Sequence, residues 1–268
     1  VLRKHGYRGC RGEKTVHIEE ITLEGKSVLI TGASYGMGAA YALACAEYDA
    51  DVAGMGRTSL DETAKLVKEK TGKDLLGIRG DMLNLEQVKK AVERTVETFG
   101  KLDVLVNNAG ILHMAPIVDM TEEDFDRLIG VNLKGVYFAC KFAAAHMIPR
   151  KRGVIINIGS ELSFTGAAHF SAYAATKGGL FTLSQSLAIE LGPYNIRVVT
   201  LSPGPTRTPM HRENLKDPAF KHAVESKGVL GKMGEPEDVA PALVLLASDA
   251  ARMVTGTNWS VDGGCLAK

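Results

Sequence analysis

Tyr173 and Lys177 stand four residues apart in "SAYAATKGGL" (171–180), a stretch of small and apolar residues. On a helix that spacing puts both side chains on one face. An ammonium beside a phenol favours the phenolate. Such a pair is proton-transfer chemistry if it lines a site, and an interfacial Tyr beside a solvated Lys if it does not. The ten residues by themselves leave the second reading as the commoner one.

A second chemical signal lies in "TGASYGMGAAYA" (31–42), between an apolar run and a helical pattern. Gly32, Gly36 and Gly38 allow the backbone to turn tightly and approach a pyrophosphate. The helix that follows offers unpaired N–H groups and the positive end of its dipole. A glycine-rich turn made only for close helix–strand packing is the alternative. Dinucleotide folds place a carboxylate about 20 residues further on when they bind the free ribose, and an Arg when they bind its 2′-phosphate. Here the second strand ends "GMGRTS", with Arg57 and Thr58 and no acid. A guanidinium matches a phosphate dianion, which favours NADP(H) over NAD(H). The competing reading makes Arg57 a solvated loop residue.

Elements must hold these residues in place. Apolar, β-branched runs recur along the chain: "SVLITG" (27–32), "DVAGMG" (51–56), "LLGIRG" (75–80), "DVLVNN" (103–108), "GVIINIG" (153–159), "IRVVTLS" (196–202) and "NWSVDG" (258–263). Runs this apolar suit parallel strands covered on both faces. Helical stripes separate them, at Leu60, Ala64 and Val67, and at Leu85, Val88, Val92, Val96 and Phe99. Asn84 with Gln87 makes a plausible capping pair, and Thr121 with Asp124 opens the next long helix. Strand–helix alternation implies right-handed crossovers and a single doubly wound α/β domain, with a seven-stranded, mostly parallel sheet flanked by helices on both faces. Residues 24–268 are expected to form it. Residues 1–23 read as a basic arm without an apolar block, so not as a secretory signal. The polar segment 207–235 interrupts the alternation and reads as a substrate-side insertion or lid.

Composition narrows the partners. The net charge of +1, with 45% hydrophobic and 24% charged residues, points to no nucleic-acid or membrane partner. Cys10, Cys45, Cys140 and Cys265 lack metal-type spacing and read as free thiols in a reducing compartment, so a cytoplasmic location is expected. His113, His169, His211 and His222 show no metal-ligand pattern, and no metal is expected.

Taken together, "TGASYGMG" (31–38), "GD" (80–81), "NNAG" (107–110), "VNLKG" (131–135), "INIGS" (156–160), "YAATK" (173–177), "SPGPTRT" (202–208) and "VDGG" (261–264) resemble, in that order, the motifs of the short-chain dehydrogenase/reductase family. The likeness runs from about residue 24 to the end and is nearest to the 3-oxoacyl reductase and glucose dehydrogenase-like group. It implies a Rossmann-type fold and an NAD(P)-dependent oxidoreductase acting on a small-molecule carbonyl or alcohol. Tyr173 would be the proton donor or acceptor. Lys177 would hold the nicotinamide ribose and favour the tyrosinate. Ser160 would hydrogen-bond the substrate oxygen, and Asn132 would hold a water beyond the lysine. The cofactor would lie along Gly32, Ser34, Tyr35, Gly36, Met37 and Gly38, then Arg57 and Thr58. Asp81 and Met82 would meet the adenine, Asn108, Ala109 and Gly110 the adenosine side, and Pro203, Gly204, Thr206 and Thr208 the nicotinamide side. Leu162, Phe170 and Met210 would join Ser160 and Tyr173 around the substrate.

Two positions depart from the family's pattern. Tyr35 stands where many NADP-dependent relatives carry a basic residue. Glu161 follows Ser160, where small or apolar residues are usual, and strand alternation would point it away from the pocket with Leu162 pointing in. The resemblance also implies a homotetramer, or a dimer, through helices at about 123–149 and 172–191 and the C-terminal strand. An NAD-dependent alcohol or sugar dehydrogenase running oxidatively, and a non-catalytic dinucleotide-binding regulator, are the competing readings.

Overall fold

The computed structural model describes residues 21–211 and 214–268. Seven strands form one sheet: β1 (Ser27–Thr31), β2 (Asp51–Gly56), β3 (Leu75–Arg79), β4 (Val104–Asn107), β5 (Gly153–Ile158), β6 (Ile196–Pro203) and β7 (Asn258–Val261). Their order is β3-β2-β1-β4-β5-β6-β7, and every neighbouring pair is parallel. The seven-stranded, doubly wound parallel sheet expected from the strand–helix alternation is therefore present, and it is parallel throughout.

The reason is burial. Strands β1, β4, β5 and β6 are buried along their whole length, which requires helices on both faces. On one face α1 (Gly36–Glu47), α2 (Asp61–Thr71) and α8 (Pro236–Ala247) pack Tyr41, Cys45, Val67, Leu243 and Val244 onto Val28, Ile30, Val104 and Ile156. On the other, α3 (Leu85–Phe99), α5 (Gly135–Met147) and α6 (Ser171–Leu191) pack Val88, Val92, Cys140, Met147 and Leu180 onto Leu29, Leu105, Ile155 and Val198. Chain order reverses between β1 and β4. Ligands in open parallel sheets bind at such a switch point, beyond the carboxyl ends of the strands.

Three details differ from the sequence reading. The core reaches back to Leu23, which is fully buried and whose N–H donates to the Tyr48 carbonyl at 2.7 Å, so packing starts ahead of residue 24. Most of the basic arm lies outside the described residues. The capping pair is one-sided: Asn84 Oδ1 accepts from Gln87 N–H, but Gln87 Oε1 accepts from Asp81 N–H. The long helix expected near 123–149 is α4 (Glu122–Ile129) and α5 joined by a π-helical turn, Gly130–Lys134. Segment 207–235 holds a short helix, α7 (Pro218–Glu225), and its neck is zipped shut. Arg207 N–H donates to the Gly234 carbonyl, Gly234 N–H to Pro205, and the Arg207 guanidinium pairs with Glu225 and Glu235, each at 3.1 Å.

By length and composition the stretch Glu122–Met147 could cross a membrane, but half of its apolar window is buried within the domain.

Candidate active site

The turn after β1 is built for close approach. Gly32 and Gly36 have φ of +68° and +61°, which a side chain resists, and a Cβ on Gly38 would stand 2.1 Å from the Gly32 carbonyl oxygen. Asn108 fastens the turn to the end of β4: its Nδ2 donates to the Thr31 and Gly32 carbonyls, each at 3.0 Å. Thr31 Oγ1 accepts in return from the N–H groups of Asn108 and Ala109. No side chain caps α1 at Tyr35, and its first turn carries no acid. Other helices here are capped, α3 by Asn84, α4 by Thr121 and α7 by Asp217. The first-turn amides of α1 are left to face the cleft, as a pyrophosphate requires.

One continuous cleft runs from Arg57 and Thr58 past this turn to Tyr173 and Lys177. It is lined by every cofactor and substrate residue expected from the sequence: Gly32, Ser34, Tyr35, Gly36, Met37, Gly38, Arg57, Thr58, Asp81, Met82, Asn108, Ala109, Gly110, Ser160, Leu162, Phe170, Tyr173, Lys177, Pro203, Gly204, Thr206, Thr208 and Met210. Ser34 Oγ donates to the Thr58 carbonyl and holds the β2 end against the turn. Arg57 is exposed and has no ion-pair partner among the described residues. Asp81 Oδ1 accepts from Leu83 N–H at 3.0 Å, which orients the end of β3. These features suit an extended dinucleotide with its phosphates over the turn.

At the other end, α6 carries Tyr173 and Lys177 on one face. Lys177 Nζ lies 5.7 Å from the Tyr173 ring centroid and donates to the Ile158 carbonyl at 2.7 Å. Burial lowers the Lys177 pKa to about 8. Burial pushes the Tyr173 phenol up, the nearby Glu161 carboxylate adds to that, and a hydrogen bond with Ser160 works against both. The net direction is opposite to the one Lys177 alone would impose. Phe170 meets Tyr173 edge-on, with centroids 6.4 Å apart.

Asn132 does not line the cleft. It sits in the π turn, buried, with Oδ1 accepting from Ile111 N–H and Nδ2 donating to the Ile111 carbonyl, both at 2.9 Å. This two-way clasp on the loop after β4 accounts for the local widening of the helix. A Cβ on Gly110 would lie 3.5 Å from Asn132 Oδ1 and 3.8 Å from Lys177 Nζ, so the two side chains face each other across that glycine.

Glu161 corrects the sequence reading. The chain leaves β5 and turns at once into a 3₁₀ turn, Glu161–Ser163, so strand alternation no longer applies. Glu161 lines the cleft, and its Oε2 accepts from Ser160 Oγ at 2.7 Å. Leu162 is buried beside it, as expected. The sequence reading also missed Phe220, Val224 and Lys227, which the 207–235 segment brings to the substrate end, with Lys227 Nζ 5.6 Å from the Phe170 ring centroid. Their only sequence signal was membership of that insertion. Among the described residues no three His, Cys, Asp or Glu side chains converge as metal ligands. His113 lies 3.7 Å from Asp124, away from Tyr173's partners. The side chain of His211 lies outside the described set.

Comparison with known proteins agrees with this geometry. A family model described as enoyl-(acyl carrier protein) reductase matches residues 32–265. The chain is 41% identical to an L-rhamnose 1-dehydrogenase (NAD(P)(+)) of Azotobacter vinelandii, over 89% of this chain and 96% of that one. It is 42% identical to a 3-oxoacyl-[acyl-carrier-protein] reductase of Thermotoga maritima, over 90% and 98%. Among solved structures it resembles a gluconate 5-dehydrogenase from Burkholderia cenocepacia in complex with NADP and tartrate, with a TM-score of 0.87, 32% identity, and coverage of 93% and 98%.

Proposed function

The chain belongs to the short-chain dehydrogenase/reductase family and is an oxidoreductase of that family; we propose that it interconverts a secondary alcohol and a ketone, prefers NADP(H), and uses Tyr173 as its acid–base group. The observation that carries this reading is the convergence of Ser160, Tyr173 and Lys177 at one end of a cleft whose other end holds Arg57. The retention of all three polar groups supports turnover over a purely regulatory role.

When bound, the nicotinamide supplies or accepts the hydride. The protein handles the rest. In oxidation the Tyr173 phenolate takes the proton of the substrate hydroxyl, and in reduction the phenol returns it to the alkoxide. Ser160 Oγ is placed to hydrogen-bond that same oxygen as its charge changes. Lys177 would hold the ribose, and Asn132 would steady a water behind it. Arg57 and Thr58 at the end of β2 would hold the 2′-phosphate. Tyr35, in place of a basic residue, supports the alternative of an NAD-dependent enzyme running oxidatively.

The 207–235 segment serves as a lid: its neck is closed, while Phe220 and Val224 of α7 face the substrate end. A homotetramer, or a dimer, through α4, α5 and α6 is supported by the exposed apolar side chains Phe125, Tyr137 and Ile189 on those helices. The described cysteines, Cys45, Cys140 and Cys265, are free thiols, which supports a cytoplasmic location. A substrate panel of secondary alcohols, aldoses and ketones, read at the absorbance of the reduced nicotinamide with both coenzymes, tests the reading. Turnover with NADP(H) ahead of NAD(H) supports it. Coenzyme binding without turnover of any alcohol or ketone overturns it.

A further inference from the structure

We propose that Glu161 is the specificity-determining residue of this cleft, and that it selects substrates carrying a hydroxyl on the carbon next to the reacting one. The inference rests on the alcohol–ketone reading above and names the substrate class within it.

The geometry around Ser160 leads there. Ser160 Oγ accepts from Leu162 N–H at 3.1 Å and donates its one proton to Glu161 Oε2 at 2.7 Å. A hydroxyl has a single proton to give. In the free protein that proton lies toward Glu161, with Tyr173 the other side-chain partner of Ser160, and a substrate oxygen must compete for it. Glu161 has no Lys, Arg or His within ion-pair distance among the described residues. The cations that line this end of the cleft are Lys177, near the Tyr173 ring, and Lys227, beside Phe170, with Asp262 and Lys268 behind them near Cys265. A partly buried carboxylate that gives up the Ser160 proton must find another donor, because an unmet charge there is costly.

A vicinal diol resolves both demands at once. Its two oxygens, in the gauche arrangement, are about as far apart as Ser160 Oγ and Glu161 Oε2. The reacting oxygen accepts from Ser160, and the neighbouring hydroxyl donates to Glu161. The same holds for an α-hydroxy ketone in the reverse direction. A mono-alcohol leaves Glu161 competing for the Ser160 proton. A 3-oxoacyl thioester has a methylene next to its reacting carbon and a carbonyl one carbon further on, so it brings only acceptor oxygens and no hydroxyl to meet the carboxylate. Of the two substrate kinds in the names above, a sugar carries the neighbouring hydroxyl and a 3-oxoacyl chain does not. Polyols and sugars fit; 3-oxoacyl thioesters do not.

The test is a comparison of kcat/KM for matched alcohols with and without the neighbouring hydroxyl, beginning with cyclohexane-1,2-diol and cyclohexanol and extending to aldoses and their deoxy analogues. Wild type is expected to favour the hydroxylated member by tenfold or more. Glu161→Ala is expected to lose about tenfold on the diol and to gain a few-fold on the mono-alcohol, since Ser160 is released. Glu161→Gln keeps the shape without the charge, and its preference should fall by about fivefold if the alanine variant does not fold. Equal changes on both substrates, or a wild type indifferent to the neighbouring hydroxyl, would overturn the inference and leave the alcohol–ketone reading standing. Failure of every alcohol and ketone in a protein that binds coenzyme would overturn both.

Discussion

Lys177 should make the coenzyme-free protein less stable than it could be, in a way that pH reveals. The residue is 5% exposed, and burial lowers its pKa from the ordinary 10.5 to about 8. Relative to the unfolded chain, its charged form is disfavoured by about 3 kcal/mol. Below the folded pKa the lysine is protonated in both states and the whole cost is present. Between the folded and unfolded values the unfolded chain holds more protons than the folded one, so stability rises with pH. Above the unfolded value the cost is gone. Lys177→Met removes this titration while keeping an unbranched side chain of similar length. It also leaves the Ile158 carbonyl without its donor, a loss that does not vary with pH.

The diagnostic quantity is therefore the difference between the two proteins at two pH values. Integrating the two titrations, wild type regains about 1 kcal/mol relative to the variant between about pH 7 and about pH 9. For a domain of this size that is about 3 °C in Tm. Thermal or urea unfolding of both proteins without coenzyme measures it. Other titrating groups are shared and cancel. A Tm difference that stays flat, or that moves against wild type as pH rises, would refute the assignment of a buried, destabilised ammonium. Saturating coenzyme should favour wild type, because only it retains the ribose contact.

Two further substitutions probe the cofactor end. Arg57→Asp should remove the NADP preference and can reverse it: a charge-assisted contact is worth roughly 1.5–3 kcal/mol, or one to two decades in affinity, and the new carboxylate repels the phosphate. The kcat/KM ratio for the two coenzymes reads this, and an unmoved ratio makes Arg57 a bystander. Gly38→Ala places a Cβ 2.1 Å from the Gly32 carbonyl oxygen, so the turn must open. Overpacking of this kind costs about 1–3 kcal/mol, and coenzyme affinity measured by fluorescence titration should fall steeply; unchanged affinity would contradict the close approach at this turn.

Most of the scaffold was legible in the residues because its causes are local or simple. The run 196–202 is apolar because β6 is covered on both faces. The glycines at 32, 36 and 38 announce a turn that no side chain could make. Tyr173 and Lys177 share a face by helical spacing alone. What was missed depends on tertiary context. The π turn at Gly130–Lys134 exists because Asn132 clasps Ile111, 21 residues away, which no periodicity encodes. Glu161 turns inward because a 3₁₀ turn begins at the strand end, where alternation ceases to govern direction. Phe220, Val224 and Lys227 reach the cleft only because the neck at Pro205–Gly234 folds their segment back. Leu23 looked like the end of an arm, yet it is covered by the sheet and helix core.

The most direct measurement of the central claim is turnover by Tyr173→Phe, followed at the absorbance of the reduced nicotinamide with the best substrate of the panel. The substitution removes one hydroxyl and keeps the ring that packs against Phe170. Coenzyme affinity should stay close to wild type, while kcat falls by roughly 10²–10⁴ at neutral pH, the range for loss of a positioned acid–base group. Turnover near the wild-type rate in a variant with intact coenzyme binding would contradict it.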